Sequence, residues 1–479
     1  MPLTRAEIVE HLQQILGNER VVTDEQTLQQ RSIDNFRKLQ SIFGVYTMPL
    51  PAAVAMVSST AEAAAVLEFA DAHGVNVVSR TGGTATEGGL ETPVENSIVL
   101  DGGLMNRIIK VDPYNMQATA QCGVPLQLLE DAVREHGLTT GHSPQSKPIA
   151  SMGGLVATRS IGQFSTLYGG IEDMVVGCEV VFPGGQVSRI KNVPRRAAGP
   201  DIRHIVIGNE GALCFITEVT VKLFPYTPEN NIFLGWTLKE MKEGFEVLRE
   251  VMVAGYKPSV ARLYDFEDGQ LHFSHVAAPD DCIVLFMTEG NAGISTATAE
   301  GIREIVARHP GCVPVEPALI QEWFDDLVWG PDKVAREDER IRTTRNVNRT
   351  TEISADWSTI NDIYEAVLPR IRAEIRGITL LGGHSSHSYI NGTNMYFNYF
   401  YDIDCEPQDE NDEFYFPIIA IICEETLRLG GSIVHHHGIG KARARWVKDE
   451  YGSSYPMLEA LKRAYDPNGV MNMGTIIPR

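Results

Sequence analysis

Apolar and polar positions along this chain follow two periods, and the switches between them mark out its elements. Ile8, Leu12 and Ile15 recur at helical spacing behind Thr4 and Glu7, a pair that suits a capping box, so a helix is expected up to Gly17. Ser59 and Glu62 stand in the same relation and open a second helix ending at Gly74. Residues 75–79, 97–100, 116–122, 175–182 and 213–223 read as strands, and 126–136 as a helix closed by Gly137. A polar break at 226–231 precedes a second set: a helix at about 239–254, a strand at 282–288, and helices at 294–308, 318–328 and 357–376. The stretch 389–401 is rich in strand formers, and a helix is expected near 416–429. Gly430-Gly431 then lead into Ser432-Ile433-Val434-His435-His436-His437, an apolar run that reads as a strand. On a strand His435 and His437 would face one side and His436 the other. A helix at 455–464 and the turn Asp466-Pro467-Asn468-Gly469 close the chain, with no internal repeat or low-complexity segment.

The chain has 479 residues, more than one hydrophobic core usually accommodates, so two packed domains are expected. Its formal net charge of −21 argues against nucleic acid or an anionic membrane as partner, though a local basic pocket for an anion fits within it. Seven cysteines, an odd number without CxxC spacing, suit a reducing compartment. No signal-like segment and no run of about 18–20 apolar residues is present, and Ile477-Pro478-Arg479 is not a peroxisomal address. A cytoplasmic protein with no membrane span is the expectation. The carboxylates of 402–413 lack EF-hand spacing and read as a solvated loop.

The chemistry gathers in two places. Arg80-Thr81-Gly82-Gly83-Thr84 follows a strand, and Gly88 and Gly89 come soon after, so backbone N–H groups can converge on an anion. The run is neither a P-loop nor a GxGxxG turn. The second place is the histidine triplet, set before Gly438-Ile439-Gly440 and the bases Lys441, Arg443 and Arg445. Imidazole exchanges protons near neutral pH, so the triplet suits acid–base work; a metal-scavenging tract or packed core histidines are the plainer readings.

Further motifs fall in order behind the glycine turn. They are Gly141-His142-Ser143-Pro144-Gln145-Ser146, Met152-Gly153-Gly154 through Thr158 to Gly162, Tyr168-Gly169-Gly170, Gly199-Pro200-Asp201, and Gly208-Asn209-Glu210-Gly211 through Ile216-Thr217-Glu218. This series, over about residues 45–224, resembles the flavin-binding domain of the vanillyl-alcohol oxidase / p-cresol methylhydroxylase superfamily. The resemblance implies an α+β chain: a two-subdomain FAD-binding domain at 1–224, an α+β cap of antiparallel sheet and helices at 225–430, and a closing segment at 431–479 that carries the triplet. It implies that Arg80, Thr81, Gly82, Gly83 and Thr84 wrap the FAD pyrophosphate, that Pro144, Ser146, Gly153, Gly154, Thr158 and Gly162 line the cofactor, and that Glu210, Gly211, Ile216 and Thr217 lie near its adenosine half. Many members carry a histidine after the paired glycines and link it to the flavin. Here that residue is Thr84, with no nucleophilic nitrogen, so non-covalent FAD is expected.

The C-terminal half is similar to the alkyldihydroxyacetonephosphate synthase family and its bacterial homologues, through Ala261-Arg262-Leu263-Tyr264-Asp265, Thr351-Glu352 before Trp357, Ser388-Tyr389, Tyr396-Phe397 and the triplet through Lys441. That similarity casts Arg262 as a ligand for a substrate anion, and Tyr396, His436 and His437, with His435 beside them, as proton-handling groups, His436 being the expected primary base. His142 falls at a position of functional or supporting interest. A further substrate arginine would be Arg336, Arg340 or Arg342. His384 and His387 stand where the synthases have other side chains and, with Tyr389 and Lys441, are expected on the substrate side. The same two histidines echo the divalent-ion segment of D-2-hydroxy-acid dehydrogenases in this superfamily, but a second ligand histidine is missing near 394–396 and His436 replaces a glutamate. Hydrogen bonding rather than metal ligation is therefore expected.

The resulting expectation is an FAD-dependent dehydrogenase or oxidase of the CH–OH type. It would remove hydride from a small hydroxylated, anionic substrate to flavin N5 with a histidine base, and pass electrons to oxygen or to an electron-transfer partner. Arg262, with Lys441 or Arg443, would hold the acid group. The alternative is a synthase-like enzyme with no net redox change; a third class, an electron-transfer protein without its own substrate, leaves the histidines unexplained. Homodimerisation is implied by the resemblance alone.

Overall fold

The computed structural model describes residues 2–327 and 329–478. Three main sheets carry the architecture. The first, in spatial order Val21–Val22, Ala53–Met56, Ile98–Asp101 and Val77–Arg80, has a parallel core, and helices Arg5–Leu16 and Thr60–His73 bury its apolar side chains. Both helices begin as the sequence suggests: the Thr4/Glu7 capping box is closed, and Ser59 caps Glu62. The second sheet is antiparallel, in the order Ile108–Asp112, Gln117–Gln121, Phe215–Lys222, Val175–Val181, Val187–Ile190.

The third sheet positions the site. Its seven antiparallel strands run Val313–Val315, Ile232–Leu238, Cys282–Thr288, Val260–Tyr264, Ile378–Ser385, Gly392–Asp402, Asn346–Asp356. Side chains alternate across it. Ala261, Leu263, Leu381, Phe397, Tyr399 and Ile353 join the main core under helices Met241–Val253, Ala292–Val306, Ile360–Glu374 and Phe416–Leu429. The opposite face turns Arg262, His384, Tyr396, Asn398 and Thr350 toward a cavity. The chain end returns to the first sheet, where Val77 N donates to Val470 O at 2.7 Å and Asn472 N to Val77 O at 2.8 Å.

Two expectations are corrected. The triplet is not a strand: Ser432 makes one bridge to Ser354 and the following residues bend. The cause is Glu352, which draws three successive backbone N–H groups to one carboxylate, whereas a strand points successive N–H groups to opposite sides. The acidic run is not wholly a solvated loop either. Glu410 is buried against Arg349, with Oε2 2.8 Å from Nη2, and Asn411–Tyr415 form a π-helical turn.

Candidate active site

A cavity of about 720 Å³ runs from the glycine turn to the face of the third sheet. At one end it is lined by Arg80, Thr81, Gly82, Gly83 and Thr84, by Pro144, Ser146, Gly153, Gly154 and Thr158, and by Glu210, Gly211 and Ile216. Gly83 has φ +72°, which lets the turn leave the strand, and a Cβ on Gly82 would stand 2.7 Å from Ile149 O. Ser79 Oγ and Arg80 Nε, both on this wall, are buried without a hydrogen-bond partner among the described residues. A long groove of backbone with orphaned donors at its head fits a dinucleotide with a pyrophosphate. Gly162 and Thr217 stand behind that wall: Gly162 packs on Ser143, and Thr217 Oγ1 bonds to Glu179. His142 is buried beside Ser160, with Nε2 and Oγ 3.3 Å apart, and burial pushes its imidazole down to about 3.

The other end is lined by Arg262, His384, His387, Tyr396, His436 and His437. Its frame is a buried ion network. Glu352 accepts the backbone N–H of His435, His436 and His437 at 3.4, 3.1 and 2.6 Å and lies 2.9 Å from Arg443 Nη1. Arg443 is fully buried and also pairs with Glu87 at 3.1 Å. Burial alone would raise the Glu352 carboxyl, but Arg443, then His437 and His436, hold it well below the usual range. Glu87 goes the other way: burial, reinforced by Glu352 and opposed by Arg443, pushes it up to about 7. Glu210 joins the two ends, accepting from the amides of Ile439 and Gly440, each at 2.8 Å.

Within that frame the rings bond to one another. Tyr396 Oη lies 2.5 Å from His436 Nε2, His436 Nδ1 2.8 Å from His435 Nδ1, and His435 Nε2 2.7 Å from Tyr389 Oη. His387 Nδ1 meets Ser165 Oγ at 2.7 Å. Burial drives the imidazoles down, His435 to about 4 and His436 and His387 well below their ordinary value, so they are neutral at pH 7. Burial and Glu352 push the Tyr396 phenol up, so it keeps its proton. Arg262 is buried, donates from Nη1 to Tyr264 Oη at 2.7 Å, leaves Nε without a partner, and has no carboxylate within 4.0 Å among the described residues.

Several residues expected on the substrate side do not line the cavity. Lys441 is spent on Asn472 and Thr475, 2.8 Å each, and on the carbonyls of Gly88 and Gly89. Arg443 is locked in the ion network, and Tyr389 and His435 stand behind the wall. Arg340 lines the far arm of the cavity, whereas Arg342 pairs with Glu339. His387, His435 and His436 lie close enough to share an ion, as do Glu352, His436 and His437. The hydrogen bonds already made by His387, His435 and His436 leave few free lone pairs for one. Sequence reasoning overlooked Asp268, whose carboxylate meets His384, and the bracing roles of Glu87 and Glu352.

Residues 51–191 match the FAD binding domain family, and 227–476 match the FAD linked oxidases, C-terminal domain. The chain is 63% identical to the FAD-linked oxidoreductase YgcU of Escherichia coli (strain K12), over 100% of this chain and 99% of that one. It is 28% identical to alkyldihydroxyacetonephosphate synthase of Caenorhabditis elegans, covering 89% and 76%. It is 26% identical to glycolate oxidase subunit GlcD of Bacillus subtilis, covering 90% of each. The solved structure of p-cresol methylhydroxylase with substrate bound superposes with a TM-score of 0.76 at 15% identity, over 99% and 97% of the two chains, which establishes a shared fold.

Proposed function

The chain belongs to the FAD-linked oxidase family, an enzyme family whose cofactor is FAD, and on that premise we propose that it oxidises a small hydroxylated anion. The observation that carries this reading is one cavity that holds, opposite the cofactor groove, a buried arginine without a carboxylate partner beside neutral imidazoles. Arg262 would grip a carboxylate or phosphate, since a guanidinium with an unspent Nε–H is a planar donor to such groups. A neutral imidazole would take the hydroxyl proton, so no free alkoxide has to form. Bound FAD supplies the hydride acceptor. Tyr396, kept protonated, would donate to the substrate oxygen or to His436 and fix the ring's tautomer. GlcD, an oxidase of glycolate by its name, is a relative whose substrate combines these two groups. We take residues 1–224 as the cofactor-holding unit, 225–430 as the cap and 431–479 as the closing segment.

Thr84 faces the cavity where a linking histidine would stand, so the flavin is expected to dissociate. Acid precipitation checks this: yellow supernatant is the expected result, and yellow pellet contradicts it. The reaction is tested by mixing oxidised enzyme anaerobically with glycolate, lactates, sugar acids and phosphorylated polyols. At least one of them is expected to bleach the visible flavin absorbance. The similarity to the synthase favours a second reading. No bleaching by any compound, with a stable spectral change on adding acyl-dihydroxyacetone phosphate, would establish that one instead.

A further inference from the structure

The sheet face of the cavity holds a carboxylate–imidazole pair apart from the histidine loop. His384 lies opposite Tyr264 on one neighbouring strand and Tyr396 on the other. Cross-strand side chains approach within about 5 Å, so the imidazole is clamped between two phenols, at ring separations of 4.9 and 4.6 Å. Its Nδ1 lies 2.5 Å from Asp268 Oδ2. Asp268 is wholly buried on the helix Phe266–Phe273, and its second oxygen accepts from Asn398 Nδ2 at 3.0 Å. Burial would raise the Asp268 carboxyl, but His384 and then Asn398 bring it below the usual range. His384 Nε2 has no partner among the described residues, and the ring lines the cavity.

The other candidates lack this combination. Both ring nitrogens of His435 and of His436 are engaged, and neither ring is hydrogen-bonded to a carboxylate among the described residues. His387 is backed by a serine hydroxyl. His437 Nδ1 stands 3.5 Å from Glu352 without a hydrogen bond, and that carboxylate is already spent on Arg443 and three amides. An imidazole that donates from Nδ1 to a carboxylate presents a lone pair at Nε2, as in the hydrolase triads.

We infer that His384 is the catalytic base of this site and Asp268 its positioning residue, an assignment that rests on the oxidation proposed above. As the substrate's C–H bond breaks, its electron pair would leave as hydride, for which bound FAD would supply the two-electron acceptor. The O–H bond breaks with it, the proton passes to His384 Nε2, and the carbon–oxygen bond becomes a carbonyl. The substrate loses two electrons and the FAD gains them. Asp268 stabilises the imidazolium so formed and holds the ring in register. His436 thereby changes from primary base to the partner that orients Tyr396. The titratable or charged groups around His384 are Asp268 and His272 from the helix, Arg262 and Tyr264 from one strand, Tyr396 from the other, and His387 farther along its own segment.

The test uses the flavin-loaded enzyme, its His384→Gln and Asp268→Asn variants, and whichever hydroxy acid of the panel bleaches the wild type. Flavin content and far-UV circular dichroism confirm that each variant folds, and Asp268→Asn keeps the side-chain volume. Both variants are expected to slow flavin reduction by about 10²–10⁴-fold, with little change in the substrate concentration for half-saturation. A loss under about tenfold in His384→Gln overturns the assignment. Histidine ring ¹⁵N spectra supply a readout independent of turnover. The signal missing from His384→Gln should be an Nδ1–H tautomer in the wild type at pH 8 and should change in Asp268→Asn; an Nε2–H tautomer overturns the pair. Bleaching that survives His384→Gln removes the base role only. Failure of every hydroxy acid removes the oxidation reading, and the base role with it, even where the tautomer is as drawn.

Discussion

At the cofactor end the cavity wall is shaped by side chains that are missing; at the histidine end it is shaped by side chains that are paired. A Cβ on Gly153 would stand 2.6 Å from Cys122 Cβ and 3.2 Å from its Cα, so that wall leaves no room for a side chain there. Opposite it, Arg443 binds Glu87 and Glu352, and Glu352 gathers the amides of the triplet. The first construction packs bare backbone closely on its neighbours and suits a cofactor of fixed shape. The second joins residues 87, 352 and 443 through a buried ion network, and it holds neutral rings against the cavity.

The largest way to break the contrast is Arg443→Met, which strands two buried carboxylates. It is expected to destabilise the protein by about 3–5 kcal/mol in urea unfolding; a loss below about 1 kcal/mol would mean the network does not brace the histidine end. Gly153→Ala attacks the other end. Overpacking there should cost about 1–3 kcal/mol and lower the ratio of flavin to protein absorbance, with unfolding and absorbance as the two measurements. Acidification sharpens the comparison further. Burial depresses the His435 imidazole to about 4, so below roughly pH 6.5 the unfolded chain takes up a proton that the native ring refuses. Its contribution to stability is therefore present above pH 6.5 and is lost as the pH falls toward 4. Glu87 and Glu210, raised to about 7, act in the opposite sense over the same window, so the wild type should be compared with His435→Gln, whose stability falls less on acidification. The smallest effect is expected of Lys441→Met: about 1 kcal/mol of stability and no change in the rate of flavin reduction. A large rise in half-saturating substrate would return Lys441 to the substrate.

The same contrast explains what the sequence disclosed. Gly82, Gly153 and Gly154 announce themselves because a glycine's role is written in its own position, and the capping residues Thr4 and Ser59 likewise act within one turn. The strand Asn346–Asp356 shows no apolar alternation because polar residues occupy both of its faces: Asn348 and Thr350 line the cavity, while on the core side Arg349 pairs with Glu410 and Thr351 with the Tyr399 hydroxyl. The helix Pro331–Thr344 is polar along most of its length, with Ile341 buried, so it carries little apolar signal. Asp268 stands in the first turn of the short helix Phe266–Phe273, and only the pairing of Ile378–Ser385 beside Val260–Tyr264 brings His384 to it. The triplet itself was plain in the sequence, but its shape was not, because Glu352 and not the local pattern decides it.

The proposed site holds one hydroxylated anion between Arg262 and an imidazole facing the flavin. A crystal structure of the flavin-loaded enzyme, reduced under nitrogen and soaked with the hydroxy acid that bleaches it, tests this most directly. The account predicts the acid group on Arg262 and the hydroxyl oxygen about 2.6–3.2 Å from His384 Nε2. A hydroxyl bound instead to an ion among His387, His435 and His436, or an acid group remote from Arg262, would contradict it.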